Sequence, residues 1–374
     1  MTKKQDDDTA KRILIAGGGT GGHVYPALAT IEALKKRGDF KFLYVGGKNG
    51  IETRIVPSQN IPMKTIWIAG IARSLTLKNL LFPFKLLASL AASWKIVSRF
   101  RPDAAVGTGG YVSGPVLFIT AKRGVPVLIQ EQDVHPGLTT KLLAKHAKKI
   151  CLAFPGAEKH FLGMSEKIVV TGNPVRNDLL GITPAEGRKI WQLDKDKLTI
   201  FVFGGSQGAR SINEAMGKIL PALLRKYDIQ LLWQTGEKQY DAVIESLEID
   251  EKRVRIVPYV KKMNAAYAAA DLIICRAGAI TLAELAIVGK PAVLVPYPFA
   301  AGDHQVRNSQ MIVEAGAAIM VEEKNGWGAN LQMAIERLLT DPALREQQST
   351  AWQKLARPTA ADDIAAEIIK LIKN

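Results

Sequence analysis

Short apolar runs alternate with helix-length amphipathic stretches along most of this 374-residue chain. Arg12–Ala16 (RILIA) leads into Gly17-Gly18-Gly19-Thr20-Gly21-Gly22, a helical pattern from His23 to Arg37 and a second apolar run, Phe40–Val45. Strand, glycine loop, helix, strand is the opening of a doubly wound α/β sheet. Ala104–Val106, Val125–Gln130 and Lys149–Ala153 read as further strands of that sheet. The pattern then restarts: Leu198–Phe203 runs into Gly204-Gly205-Ser206-Gln207-Gly208 and a helix from about Ala209 to Tyr227. Ile229–Gln234, Val254–Val257, Leu272–Cys275 and Ala292–Val295 follow as strands. The expected fold is therefore α/β, with two Rossmann-like, doubly wound parallel-sheet domains facing each other across a cleft. The expected boundaries are 1–175 and 176–374, with a linker between Asn173 and Leu198, where Pro174, Gly181, Pro184 and Gly187 interrupt the periodicity. The last helix, Ala360–Lys373, is free by sequence to pack on either domain.

Composition narrows the function. Hydrophobic residues make up 47% and charged residues 23%, as in a globular protein. The net charge of +15 calls for an anionic partner. Nucleic acid is not expected, because the positive residues are scattered among apolar ones, as in Lys141–Lys149, and form no dense basic helix. Cys151 and Cys275 sit in or beside apolar runs without a ligand spacing and read as buried thiols. Met1–Arg12 carries Asp6, Asp7 and Asp8 and no apolar core of a signal peptide. A spanning helix needs about 20 apolar residues; the best stretch, Leu80–Trp94, is interrupted by Pro83 and Lys85. A cytoplasmic location is expected.

The glycine loops are the candidate chemistry. Gly17, Gly19 and Gly22 fit the dinucleotide spacing, but that site also wants a carboxylate at the end of the second strand, and none occurs before Glu52. What remains is a backbone loop at a helix start, which attracts phosphate. Five glycines in six residues allow close approach to a ligand, beyond what a tight turn needs. Gly204–Gly208 repeats the device, with the Ser206 hydroxyl added. After Leu272–Cys275, the segment Arg276–Thr281 opens a helix that carries Glu284. A positive helix end suits a diphosphate, and a carboxylate can accept from two neighbouring ribose hydroxyls. Gly107-Thr108-Gly109-Gly110-Tyr111 is a fourth cluster, open to a second phosphate or to ordinary turn chemistry.

Gly18–Pro26 (GGTGGHVYP), Gly172–Arg176 (GNPVR), Gly204–Ala209 (GGSQGA), Cys275–Glu284 (CRAGAITLAE) and Asp303-His304-Gln305 with Asn308 together resemble the signatures of the MurG family of glycosyltransferases. The resemblance implies a GT-B fold with an N-terminal acceptor-binding, membrane-facing domain and a C-terminal UDP-sugar-binding domain. It implies inverting transfer of GlcNAc from UDP-GlcNAc to the 4-hydroxyl of MurNAc in undecaprenyl-pyrophosphoryl-MurNAc-pentapeptide (lipid I), giving lipid II. By matching motif, UDP-GlcNAc falls to Thr20, Gly21, Gly22, Asp133, Arg176, Ser206, Val260, Gln305 and the run Ala279, Ile280, Thr281, Leu282, Ala283 and Glu284, with Glu284 on the ribose. The acceptor pyrophosphate falls to Gly18, Gly19, Thr108, Gly109 and Gly110. One position departs from the family: Asp133 stands where Asn is usual, and an ionised Asp accepts hydrogen bonds without donating.

Direct displacement needs a base for the acceptor hydroxyl and compensation of the departing diphosphate. His23, at the start of the first helix, is the expected base, because the helix dipole there disfavours imidazolium. Ser206 and Ala279–Thr281 at helix starts, with Arg176, are expected to meet the leaving charge. No metal site and no cofactor is expected. The lipid acceptor requires a membrane surface, and Leu77, Lys78, Leu80, Leu81, Phe84 and Lys85 form a basic, apolar patch at helix-like spacing with Leu87, Leu90, Ala91 and Trp94. Packing of that stripe on the domain core is the alternative. The expected partners are UDP-GlcNAc, lipid I, the anionic cytoplasmic face of the bacterial membrane, where the protein would be peripheral, and other cell-wall synthesis proteins. Another UDP-sugar transferase, or a UDP-GlcNAc 2-epimerase of the same fold, is the rival reading.

Overall fold

The structure, a computed structural model, describes residues 10–68, 70, 81–176, 178–247 and 252–373. Two compact units result: one runs to Val175 and takes up the chain again from Pro358, and the other spans Arg176–Arg357. The first holds β1 (Lys11–Ala16), β2 (Phe40–Gly47), β3 (Met63–Ile66), β4 (Ala104–Gly107), β5 (Val127–Glu131), β6 (Lys149–Leu152) and β7 (Ile168–Val170), ordered β3-β2-β1-β4-β5-β6-β7. The second holds β8 (Leu198–Phe203), β9 (Ile229–Gln234), β10 (Val254–Val257), β11 (Leu272–Cys275), β12 (Ala292–Leu294) and β13 (Ala318–Met320), ordered β10-β9-β8-β11-β12-β13. Every pairing is parallel: Ile15 lies opposite Tyr44 and Val106, and Val202 lies opposite Trp233 and Ile274.

Parallel strands are joined by helical crossovers that cover both sheet faces, which is why these strands read as unbroken apolar runs. Leu14, Ala16, Val45 and Ile129 bury one face of the first sheet with Val116 and Leu117, and Ile13, Ile15, Tyr44 and Leu128 bury the other with Ile31 and Leu34. Ile364, Ala365 and Ile368 of the last helix, Ala360–Lys373, join that second face, and Arg37 pairs with Asp362 at 3.2 Å. The last helix therefore belongs to the first unit, and the second unit ends at Arg357.

Three strands were not legible from pattern: β3, β7 and β13. All are edge strands of three or four residues with half-exposed positions, too short to show a period. The expected linker also contains a helix, Pro184–Ile190. Thr183 and Glu186 close a capping box around its first turn, and Pro184 sits where its missing N–H costs nothing. Gly187 is no breaker here. A Cβ at Gly187 would stand 2.7 Å from the Ala265 carbonyl oxygen, so the glycine lets this helix close on the helix Met263–Ala269.

The first glycine loop is tied down by a carboxylate. Glu52 is fully buried at the start of the helix Glu52–Ser58; its Oε2 accepts from Gly19 N–H at 3.0 Å and its Oε1 from Gly47 N–H at 2.8 Å. A Cβ at Gly18 or Gly50 would fall 2.1 Å from a Glu52 oxygen, and one at Gly46 would fall 2.6 Å from its Cγ. Part of the glycine richness is thus internal: it makes room for Glu52. Glu52→Ala leaves two amides without their acceptor, at about 1–3 kcal/mol for each buried group. The urea midpoint of this variant should fall clearly below that of the wild type, and an unchanged midpoint would show that the loop does not depend on Glu52.

Candidate functional site

Strand order reverses between β1 and β4 in the first unit and between β8 and β11 in the second. Ligands of open α/β sheets bind outside the carboxyl ends of strands at such reversals. In each unit the glycine loops stand there.

In the first unit, β1 runs into the loop Gly17–Thr20 and the helix Gly21–Lys35 begins at once, so the Gly21 and Gly22 amides lie at its start. The Gly107–Gly110 loop after β4 locks onto this loop. The Thr108 hydroxyl donates to His23 O at 2.7 Å, and a Cβ at Gly110 would come 2.3 Å from Gly18 O. Gly109, at φ +100°, makes room for the His23 ring: a Cβ there would lie 2.5 Å from Nδ1. His23 Nδ1 stands 2.9 Å from Thr108 O and 3.2 Å from Gln132 Oε1. Both neighbours are acceptors, so Nδ1 carries a proton, and whenever the ring is neutral its lone pair is on Nε2.

Behind this centre lies Glu131, whose oxygens accept from Asp133 N–H at 3.1 Å and Gly137 N–H at 3.2 Å. Burial pushes the Glu131 carboxyl up to about 7, and the Asp133 carboxylate adds to the rise, against the Thr140 hydroxyl and the two amides. Gln132 Nε2 donates to Thr108 O at 2.7 Å, and the Gln132 main-chain carbonyl accepts from Asn173 Nδ2 at 3.0 Å. Asp133 is half-buried at the rim.

In the second unit, Gly208, at φ +75°, passes so close to Thr235 O that a Cβ would stand 1.9 Å away. Gln234 Nε2 donates to Gly205 O at 2.8 Å and Gln234 Oε1 accepts from Val260 N–H at 2.8 Å, so one buried amide ties the Ser206 loop to Val260. Ser206 is exposed, but the helix after it starts only at Arg210. The expectation that Ser206 stands at a helix N-terminus is therefore corrected: the loop continues to Ala209. The helix Ala279–Val288 does begin where expected, capped by Gly278, with Ala279, Ile280 and Thr281 in its first turn and Leu282, Ala283 and Glu284 in the next.

Glu284 is only 5% exposed, and both of its oxygens are engaged: Oε1 accepts from Arg176 Nε at 3.0 Å and Oε2 from the Tyr267 hydroxyl at 2.8 Å. Burial raises the Glu284 carboxyl above its ordinary range, with Arg176 and Tyr267 opposing the rise. Gln305, in the helix His304–Glu314, accepts from Tyr297 N–H at 2.9 Å. A cavity of about 550 Å³ lies along that helix, lined by Val306, Arg307 and Gln310 with Glu322, Glu323 and Pro296, and touches none of the glycine loops.

The candidate residues thus fall into two sets. Thr20–His23, Thr108–Gly110 and Asp133 lie together in the first unit, and Arg176, Ser206, Val260, Ala279–Glu284 and Gln305 lie in the second. Tyr267, Gln234 and Glu52 were not found as site residues from sequence. A lone aromatic in the alanine-rich helix Met263–Ala269 was the signal for Tyr267. Three glycines just before Glu52, Gly46, Gly47 and Gly50, were the signal for that carboxylate. Leu77, Lys78 and Leu80 lie outside the described residues. Of the rest of the stripe, Leu81, Phe84, Leu87 and Trp94 face outward, 49%, 67%, 66% and 56% exposed, while Leu90 is half-buried. The buried face of their helix, Phe82–Phe100, is Ser89, Ser93 and Val97. Among the described residues no helix is long and apolar enough to cross a membrane, and no group of three His, Cys, Asp or Glu side chains is placed to hold a metal ion.

Two doubly wound parallel sheets, each with glycine turns at its point of reversal, are the architecture of the GT-B fold, and the glycosyltransferase class follows from the family match. The chain matches the glycosyltransferase family 28 N-terminal domain over residues 13–152 and the family 28 C-terminal domain over residues 199–364. It is 42% identical over 366 residues, 97% of this chain and 98% of its relative, to the UDP-N-acetylglucosamine–N-acetylmuramyl-(pentapeptide) pyrophosphoryl-undecaprenol N-acetylglucosamine transferase of Flavobacterium psychrophilum. The crystal structure of Acinetobacter baumannii MurG superposes with a TM-score of 0.76 at 31% identity, over 96% of this chain and 99% of that one. A UDP-N-acetylglucosamine 2-epimerase shares the fold, with a TM-score of 0.66 at 14% identity over 96% of each chain. The chain belongs to glycosyltransferase family 28 and, within it, to the MurG family.

Glu131 gives this region a pH dependence. A carboxyl raised from 4.5 to about 7 in the folded protein contributes stability that is complete below pH 4.5 and is lost as pH rises through 7. At about 1.4 kcal/mol per unit the loss approaches roughly 3 kcal/mol. Relative to Glu131→Gln, the wild type should lose unfolding free energy between pH 5 and 8. A constant difference across that range would mean that Glu131 ionises as freely as a surface carboxyl.

Proposed function

We propose that this chain is an inverting glycosyltransferase that moves GlcNAc from UDP-GlcNAc to the 4-hydroxyl of MurNAc in lipid I, giving lipid II. The observation that carries the reading is a likeness, over nearly the full length of both domains, to enzymes named for that transfer. The geometry supports it. Glu284 offers a carboxylate beside a helix start, the pairing that suits a ribose next to a diphosphate. Arg176, Ser206, Val260 and Gln305 complete the donor site, with Val260 bordering the uracil and Gln305 the GlcNAc. In the first unit, Thr20, Gly21 and Gly22 meet phosphate, Asp133 accepts from a sugar hydroxyl, and Thr108, Gly109 and Gly110 flank the acceptor pyrophosphate. The Gly19 amide is already held by Glu52, so phosphate contact beside Gly18 and Gly19 falls to the amides at the helix start.

His23 is the general base. Its Nε2 takes the proton from the acceptor hydroxyl as that oxygen bonds to C1 of GlcNAc, and the C1–phosphate bond breaks with its electron pair leaving on UDP. Inversion at C1 follows from the single displacement. Positive charge at the Ala279–Thr281 helix start and on Arg176 meets the departing diphosphate, and the proposed transfer needs no metal.

The exposed stripe supports a peripheral place on the membrane. Phe84, Leu87 and Trp94 share one helix face, Lys85 lies 5.6 Å from the Trp67 ring and Arg123 5.8 Å from the Trp94 ring. Exposed apolar side chains rimmed by cations fit an anionic interface, where each Lys or Arg adds about 1 kcal/mol.

Radiolabelled GlcNAc should pass from UDP-GlcNAc to a lipid I analogue, in EDTA as in magnesium, and not from UDP-GalNAc. Conversion of UDP-GlcNAc without acceptor would point instead to an epimerase. In the same assay His23→Ala should lower kcat by about 10²–10⁴-fold with donor KM little changed, and near-normal turnover would remove His23 as the base. Lys85→Glu should weaken attachment to phosphatidylglycerol vesicles by about tenfold or more. Unchanged attachment would refute the membrane role of this patch.

A further inference from the structure

A buried carboxylate persists as an anion only when its charge is met by hydrogen bonds or an opposite charge. Glu284 is met from two directions, and the two donors differ in kind. Arg176, on Oε1, has a side chain 38% exposed and reaches the carboxylate from the unit's surface. Tyr267, on Oε2, is fully buried, and its ring stands edge-on to Phe201 and Phe203, with centroids 6.0 and 6.1 Å away. Phe201 and Phe203 belong to β8, so the sheet itself fixes the tyrosine. Burial and the neighbouring Glu284 raise the Tyr267 phenol well above its ordinary range, so this hydroxyl is a permanent donor to the carboxylate.

We propose that Tyr267 is a positioning residue for nucleotide recognition: its hydroxyl fixes the plane of the Glu284 carboxylate and leaves one lone pair on each oxygen aimed at the two hydroxyls of a ribose. The inference rests on the reading of Glu284 as the ribose ligand and goes beyond it in assigning what sets its geometry. An ionised carboxylate has about four acceptor sites. Arg176 and Tyr267 occupy one on each oxygen, and a vicinal diol supplies the two remaining protons. Without the Tyr267 hydroxyl the carboxylate is free to rotate about its last torsion, and the second of those acceptors is no longer placed for the 2′-hydroxyl. Selection of ribonucleotide over 2′-deoxyribonucleotide is then the property that Tyr267 controls.

The test is calorimetric titration of the full-length protein with UDP and with 2′-deoxy-UDP, for the wild type, Tyr267→Phe and Glu284→Ala. The wild type should prefer UDP by about tenfold, the worth of one well-placed hydrogen bond to a charged group. Tyr267→Phe keeps the ring against Phe201 and Phe203, and should cut that preference at least about threefold while 2′-deoxy-UDP binds within about twofold of wild type, since only the 2′-hydroxyl bond is lost. Glu284→Ala should abolish the preference. Because each preference is a ratio within one variant, a modest loss of stability cancels. An unchanged ratio in Tyr267→Phe, or equal weakening of both nucleotides, would overturn the role of Tyr267 while leaving that of Glu284 intact. A wild type with no preference would remove the ribose reading of Glu284 and this inference with it.

Discussion

Parallel strands can be joined only by crossovers, and that constraint brings the carboxyl ends of neighbouring strands to one edge of each sheet. In both units the crossovers leave to opposite sides at one point, between β1 and β4 and between β8 and β11. The chain must turn tightly from strand to helix there, and glycine is what allows it. Helix starts, main-chain amides and the few polar side chains that follow the strands therefore gather in one place without needing to be near each other in sequence. His23, Thr108 and Gln132 are brought within hydrogen-bond distance in this way, across separations of 85 and 109 residues.

Buried carboxylates then divide the labour. Glu52 spends both oxygens on backbone amides and holds the first glycine loop, so it is structural although it lies beside a phosphate-binding pattern. Glu131 is also bonded to backbone amides, but burial and Asp133 raise it to about 7, so its charge varies near neutrality. Glu284 is held by side chains, Arg176 and Tyr267, and keeps acceptor sites to spare. The same residue type serves as latch, as titrating group and, in the proposed reading, as ribose ligand according to what donates to it.

The fold was legible wherever strands were long and fully buried. β8, β9 and β11 stand on the residues that the apolar runs marked, because each is buried on both faces, and the half-buried edge strand β10 was marked by Val254, Ile256 and Val257. The short edges β3, β7 and β13 were not legible, since three or four half-exposed residues carry no period. The helix Pro184–Ile190 was hidden by Pro184 and Gly187, which read as breakers yet serve as a first-turn residue and a close-packing site. For the site, spacing around glycines gave the backbone elements, while Tyr267 and Gln234 act through contacts made only when distant segments fold together. The apolar stripe of Phe84, Leu87 and Trp94 fitted core and surface equally well by sequence, and its exposure came only from three dimensions.

The most direct measurement is the crystal structure of this protein soaked with UDP. The account predicts the ribose hydroxyls within hydrogen-bond distance of Glu284 and the diphosphate on the main-chain amides at the start of the helix Ala279–Val288. Nucleotide density on Thr20–Gly22 or Thr108–Gly110, with Glu284 left to Arg176 and Tyr267 alone, would contradict it.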